Sequence, residues 1–357
     1  MVNTVTAHLT LEELPRKGAP AHRDETASVG FIAKPADRQW LDYAIIMWQS
    51  HSAERMATLR TLGVTGGQHM GMSIEPPASL LKNNMRWYAE NIATDFYAEY
   101  HRYRPDRIQE WSFLQAKAAH RKDPQSKEPF KRRPSLSNPE WLRAVHDRLV
   151  ASARRFSPYR PLFYDLADES GIANLAAFWD FDFSDESLAE MRSWLKDRYG
   201  SLASLNTQWG SAFASWDDVT PDSTDEAMKR SDGNYSSWSD HKEWMDVSFS
   251  RALRMGVEAV QSVDPGAYVA IAGGQMPGWG GYDYWRLSQT LTAIEPYDIG
   301  NNIEMLRSFA PRLPFVTTAF ARGPWEEHRI WYELLHGARG NIIWDENFEM
   351  APEGGKP

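Results

Sequence analysis

The stretch FYDLADESGI, residues 163–172, sets three carboxylates, Asp165, Asp168 and Glu169, into an apolar run that ends in a Ser-Gly turn. A carboxyl can give or take a proton at a reacting oxygen, and a second carboxyl beside it pushes its pKa up toward neutrality. Other acids stand where other apolar runs end: Glu90 in AENIATD, Glu304 in NNIE, and Asp345 with Glu346 in IIWDEN. The bland reading of each is an ion pair or a helix cap, and for Asp165, in mid-run, a partner arginine inside the fold. Other chemistries find less support. The histidines show no H-E-x-x-H spacing, and Glu333 with His336 forms only a lone E-x-x-H, so no metal site is expected. There is no cysteine and no G-x-S-x-G elbow, and the Gly-rich GGQMPGWGGYDYW lacks a phosphate-binding pattern.

These acids need elements to hold them, and strand and helix signals alternate over residues 40–347. Strands are expected at 43–49, 64–70, 86–92, 161–170, 267–275, 296–304, 313–320 and 340–347. Helices are expected at 52–64 with Ser52 as N-cap, 138–156 with Asn138 capping and Pro139 first, 184–200 from Ser184 to Gly200, 241–265, and 326–340. Strands alternating with helices make a parallel sheet, and eight of them make a closed (β/α)8 TIM barrel, an α/β fold. Only FEMAPEGGKP follows the eighth strand, so the last helix is expected to be missing and the chain to be a fragment. The division expected is an N-terminal extension at 1–35, a barrel at 36–350 with an insertion at about 176–240, and a truncated tail at 351–357. Active sites of such barrels lie at the C-terminal ends of the strands, where Glu169 falls.

The run FDFSDESLAEMRSWLKDRYGSLASLNTQWGSAFASWDDVTP, residues 181–221, resembles the segment after the fourth strand in glycoside hydrolase family 42, the β-galactosidases of the clan A barrels. GGYDYWRLSQTL (280–291) and LLHGARGNIIW (334–344) sit where that family has a Trp-bearing helix start and its eighth strand. The resemblance implies that Glu169 is the acid/base at the end of strand four. Where the family has a preceding Asn, this chain has Asp168, which when ionised can only accept a hydrogen bond from a sugar hydroxyl. The larger departure is at strand seven, where the family's nucleophilic Glu falls at about Ala319 and PFVTTAF contains no carboxylate. Glycoside hydrolysis takes two carboxyl groups, about 5 Å apart for retention or about 6.5–9.5 Å for inversion. The second is expected from Asp345 first and Glu304 second; a partner across the barrel would favour inversion. Substrate contacts are expected from Asp168, Glu90, Asn91, Gln275, Trp279, Trp285, Asn301, Asn302, Trp344 and Glu346, with Trp344 at the clan's sugar-stacking position. The implied activity is hydrolysis of β-galactoside-like bonds in oligosaccharides or polysaccharides, without cofactor. The alternative is a catalytically silent, carbohydrate-binding barrel within a larger multidomain protein.

Composition agrees with a carbohydrate ligand and narrows the partners. Trp, Tyr and Phe number 16, 14 and 15, enough to serve both as core and as flat faces for sugars. The net charge of −9 comes without a basic stripe, which argues against nucleic acid; the one basic cluster, KEPFKRR at 127–133, reads as a solvated loop. No segment has the length of apolar residues a membrane span needs, and no signal peptide is visible, so a cytoplasmic location is expected of the chain as it stands, with a periplasmic or secreted one if it is truncated. Family 42 enzymes are often trimers, so a homo-oligomer is an expectation for the full-length protein.

Overall fold

The computed structural model describes residues 2–12, 22–32, 40, 42–92, 113–172, 180–278 and 280–345. Near the start of the sequence, β1 (Val2–Glu12) and β2 (His22–Ile32) pair antiparallel, with Val2 opposite Ile32 and Glu12 opposite His22. Seven parallel strands follow: β3 (Ala44–Met47), β4 (Gly66–Met70), β5 (Arg86–Glu90), β6 (Tyr164–Asp168), β7 (Val269–Ala272), β8 (Thr317–Ala319) and β9 (Gly340–Ile343). Their order is β7-β6-β5-β4-β3-β9-β8.

The gap between β7 and β8 is filled by residues 293–297. The N–H groups of Ala293 and Glu295 donate to the carbonyls of Val269 and Ile271, and that of Val316 donates to Ile294. Parallel bridges join Gly274 to Pro296 and Ile294 to Phe315. This is the sixth strand of the ring, and it closes eight parallel strands into the core of a TIM-type barrel. The sequence placed it at 296–304; in fact Asn302–Phe309 is a helix, and Pro296, which has no N–H to give a ladder, marks the strand's end rather than its start.

The helices begin where their capping residues dictate. The side chains of Ser52, Asn138 and Ser184 accept from the backbone N–H of Arg55, Trp141 and Ser187, opening Ala53–Thr61, Pro139–Phe156 and Asp185–Tyr199. Gly200, at φ 69°, takes the left-handed turn that stops the last of these. Ser236–Val263 and Pro324–Leu335 are the other long helices. No described helix is long and apolar enough to cross a membrane. The expected absence of a helix after β9 falls on residues outside the described set.

Strand alternation sorts side chains into two rows. Ala44, Ile46, Tyr88, Ala270, Ala293, Val316 and Ile342 pack together inside the ring. Met47, Trp87, Ala89, Val269, Ile271 and Ile294 pack outward with helix residues such as Met56, Leu149, Phe249 and Val260. A separate core joins Met191, Leu195, Leu205, Trp209 and Val219 to Trp244 of the helix Ser236–Val263. Burying Trp209 or Trp244 contributes about 2–3 kcal/mol each. The basic cluster corrects the sequence reading at one residue: Arg132 is buried, its guanidinium donating to the carbonyls of Ile172 and Pro134.

On the outer side of β8 the helix Pro324–Leu335 buries charge and exposes apolar residues. Glu326 and Glu333 face inward, with Arg329 2.5 Å from Glu326 and 2.6 Å from Glu333. Trp325, Trp331 and Leu335 are exposed.

Candidate active site

Glu169 follows the last residue of β6 and is half-buried at the barrel mouth. Its backbone is left-handed, φ 49°, a conformation costly for a residue with a Cβ and concentrated at functional sites. Two neighbouring strands hold it there. Its N–H donates to the carbonyl of Ala272 in β7, and its Oε1 accepts the hydroxyl of Tyr297 from strand six at 3.0 Å. Gly273 makes the fit: at φ +65°, a Cβ on it would stand 2.6 Å from Glu169 Cγ and 2.9 Å from Asp168 Oδ1. A side chain at 273 would thus displace Glu169.

Beneath Glu169 lies a row of buried acids. Glu90 continues the inward row of β5 after Tyr88, and Glu295 that of strand six after Ala293. Asp165 and Asp168 belong to β6. Asn91, also left-handed at φ 57°, ties the ends of β5 and β6. Its amide donates to Glu90 Oε1 at 3.1 Å, its N–H donates to Asp165 Oδ2 at 3.1 Å, and its Oδ1 accepts the N–H of Asp168 at 2.7 Å. Asp165 has no arginine partner among the described residues, against the sequence reading; its other oxygen accepts the N–H of Ala272 at 2.9 Å. It splices strands where the register between β6 and β7 shifts.

Glu295 accepts the N–H of Gly273 on one oxygen and the hydroxyl of Thr318, in β8, on the other. Burial pushes its pKa well above the usual carboxylate range, and the nearby Asp168 and Glu90 add to the rise. Asp165 is raised well above that range for the same two reasons, burial first and then Asp168. Burial likewise raises the phenol of Tyr297.

Aromatic rings form one side of the mouth. Tyr297 meets Phe320 edge to face at 5.1 Å, and Phe320 meets Trp344 at 6.1 Å. Phe320 and Trp344 are 41% and 45% exposed, so the wall is open to a ligand instead of sealed into the core. Such faces stack on the C–H surface of a sugar.

The structure gathers some of the residues picked from sequence and disperses others. Glu169, Asp168, Glu90, Asn91 and Trp344 meet at the mouth. Gln275 lies just beside it, buried, its amide donating to the carbonyl of Gly273 and its own carbonyl accepting from Tyr284, which also takes the amide of Asn302. Asn302 is thus a buried structural link. Asn301 is the exposed residue before the helix Asn302–Phe309, and Trp285 is 54% exposed on the short helix Tyr284–Ser288. Glu304 is taken out of the mouth by the corrected strand boundary: it is exposed on a surface helix, paired with Arg307 at 3.0 Å and accepting from Tyr332. Asp345 continues the outward row of β9 after Asn341 and Ile343, and accepts at 3.4 Å from Gln49, which continues the outward row of β3. Trp279 and Glu346 lie outside the described residues.

Glu295, Tyr297, Gly273 and Phe320 went unread in the sequence. The signal for the first two is faint: in TAIEPYD, residues 292–298, only the apolar pair Ala293 and Ile294 precedes Glu295 and Pro296, too short a run to mark a strand. Among the described residues, no group of three or more His, Asp or Glu could hold a metal ion.

A closed parallel ring with a half-exposed glutamate, a buried acid row and an open aromatic wall at the carboxyl ends of its strands is the architecture of a (β/α)8 enzyme barrel. The sequence profile of glycoside hydrolase family 42, described as beta-galactosidase, matches residues 165–298. Over that segment the chain is glycoside hydrolase family 42-like. Its fold is similar to the β-galactosidase of Rahnella sp. R3, at a TM-score of 0.59 and 16% identity over 85% of this chain and 50% of that one. It is similar to the β-galactosidase of the haloarchaeon Halorubrum lacusprofundi, at 0.61 and 13% over 89% and 56%. It is similar as well to the catalytic domain of β-amylase from Paenibacillus polymyxa, at 0.59 and 15% over 88% and 94%. At these identities the likeness is one of fold, and the chain spans about half the length of the Rahnella enzyme. Among curated proteins none matches the sequence.

Proposed function

We propose that this barrel hydrolyses β-galactoside-like bonds in oligosaccharides or polysaccharides. The observation that carries the reading is Glu169: a carboxyl at a strand end, half-exposed, oriented by Tyr297 and facing an aromatic wall. It would protonate the glycosidic oxygen as the bond breaks, while a second carboxylate attacks the anomeric carbon or deprotonates water. The acid row beneath favours this chemistry, because neighbouring carboxyls with different surroundings divide into one that holds its proton and one that gives it up.

Turnover of an aryl β-galactoside by the wild type and by Glu169→Gln tests the reading. The expected loss in kcat is about 10²–10⁴-fold, the usual contribution of a positioned acid. Equal rates in the two proteins would end it. The second reading, a silent carbohydrate-binding barrel, draws on Ala319, which leaves β8 without a carboxylate. It predicts calorimetric binding of galacto-oligosaccharides with no cleavage, unaltered by Glu169→Gln.

A further inference from the structure

We infer that Glu295 is the second carboxylate of the reaction, the nucleophile, carried two strands round the ring from Glu169. The inference rests on the glycosidase reading and adds to it the residue that reading leaves open. Four described acids other than Glu169 stand inside the ring, and their surroundings separate them. Asp165 has one backbone N–H on each oxygen, at 2.9 and 3.1 Å, and serves as a splice. Asp168 precedes Glu169 in the chain and shares its wall. Glu90 comes from β5, the strand adjoining β6, and takes the amide of Asn91. Glu295 alone comes from beyond β7, and its carboxyl leans further round the ring to Thr318 of β8.

Distance agrees with that placement. Gly273 touches both acids: its N–H donates to Glu295, and a Cβ on it would stand 2.6 Å from Glu169 Cγ. These shared contacts keep the two carboxyl groups within roughly 9 Å of each other, a span that includes the separation of retaining pairs. Direct attack takes the short end of that span and requires the Glu295 carboxyl, 2% exposed and bonded to Gly273 and Thr318, to turn from them toward the sugar. In the first step a Glu295 oxygen bonds to the anomeric carbon, the glycosidic C–O bond breaks, and Glu169 gives its proton to the departing oxygen. In the second, water attacks the glycosyl ester, Glu169 takes a proton from that water, and Glu295 leaves as carboxylate with configuration retained. Its two neutral donors, an N–H and a hydroxyl, support the ionised form that attacks. Burial opposes that form, so the acid limb of the rate should lie above the ordinary carboxylate range.

The test uses 2,4-dinitrophenyl 2-deoxy-2-fluoro-β-galactoside, whose glycosyl ester turns over slowly. Wild-type protein should gain one fluorogalactosyl group by intact mass, and peptide mapping should place it on Glu295. Glu295→Gln should neither label nor turn over the parent aryl galactoside at more than about 1% of the wild-type kcat, with its circular dichroism unchanged. An ester on any other residue, including Asp345 or Glu90, overturns the inference and leaves the glycosidase reading standing. So does turnover without a label, an inverted product by proton NMR, or a Glu295→Gln enzyme within a few-fold of wild type. Should that variant fail to fold, the wild-type label still decides. Absence of any Glu169-dependent turnover removes both readings together.

Discussion

Adjacent threonines of β8 send their hydroxyls in opposite directions, Thr317 outward to Glu333 and Thr318 inward to Glu295. Each hydroxyl meets a buried glutamate, yet the two environments differ in one respect. Glu333 has Arg329 at 2.6 Å, and Arg329 also holds Glu326 and the carbonyl of Thr318. Among the described residues, Glu295 has only neutral donors. A buried carboxylate with a cation is a structural ion pair; one held by neutral donors alone keeps its proton affinity adjustable, which is what catalysis needs. Burial raises both groups, but Arg329 opposes the rise at Glu333, which reaches about 7.

The sharpest way to break this contrast is to remove the cation. Arg329→Met should destabilise the barrel by about 3–5 kcal/mol in a urea titration, because it strands Glu326 and Glu333 in the interior. Glu295→Gln should cost under about 1 kcal/mol in the same titration, since the amide oxygen can still accept one of the two neutral donors. Equal losses would mean that both glutamates are structural. Next, Gly273→Ala should cost about 1–3 kcal/mol and lower kcat about 10²-fold, through the left-handed backbone and the contact with Glu169. An Ala variant with normal kcat would show that Glu169 is not held by this turn.

The pH dependence of stability separates the groups by sign. Glu333 has a folded pKa above its unfolded value, so its contribution is complete below about pH 4.5 and is lost as pH rises through about 7. His241 is fully buried with no hydrogen-bond partner on either ring nitrogen among the described residues, and burial lowers it to about 3. Its contribution is complete above about pH 6.5 and is lost as pH falls toward 3, at up to about 1.4 kcal/mol per pH unit. His241→Phe should flatten that acid slope in urea titrations from pH 7 to 4; an unaltered slope would assign it elsewhere. The smallest expected effect is at Tyr297. Its hydroxyl favours the ionised form of Glu169, so Tyr297→Phe should move the alkaline limb of kcat/KM upward by no more than about one pH unit. A downward shift would mean that the phenol supports the protonated acid.

Much of this was legible from sequence because its signals are local. Ser52, Asn138 and Ser184 cap the helices expected of them, and apolar runs flanked by Gly and Pro gave seven strands near their true places. Glu169 falls at the barrel mouth because the apolar run it ends is a strand, β6, close to where the sequence places it. Strand six escaped because it is held by two bridges and ends at a proline, so it has neither the length nor the alternation of a strand. With it went Glu295 and Tyr297, while Glu304 was read onto a strand end that is a helix. Asp345 shows the other limit: one residue of parity decides between barrel axis and outer shell, and an apolar run buried on both faces does not display parity in its composition.

The Asp165 splice has a consequence for how the barrel opens. The amides of Asn91 and Ala272 are protected by one carboxyl side chain, where their neighbours are protected by the backbone ladder. Their exchange with deuterium should therefore depend on the charge of that single group, and should quicken together in Asp165→Ala while the rest of β5 and β7 stays slow. Two amides on different strands would then report, as a pair, when the seam between them loosens.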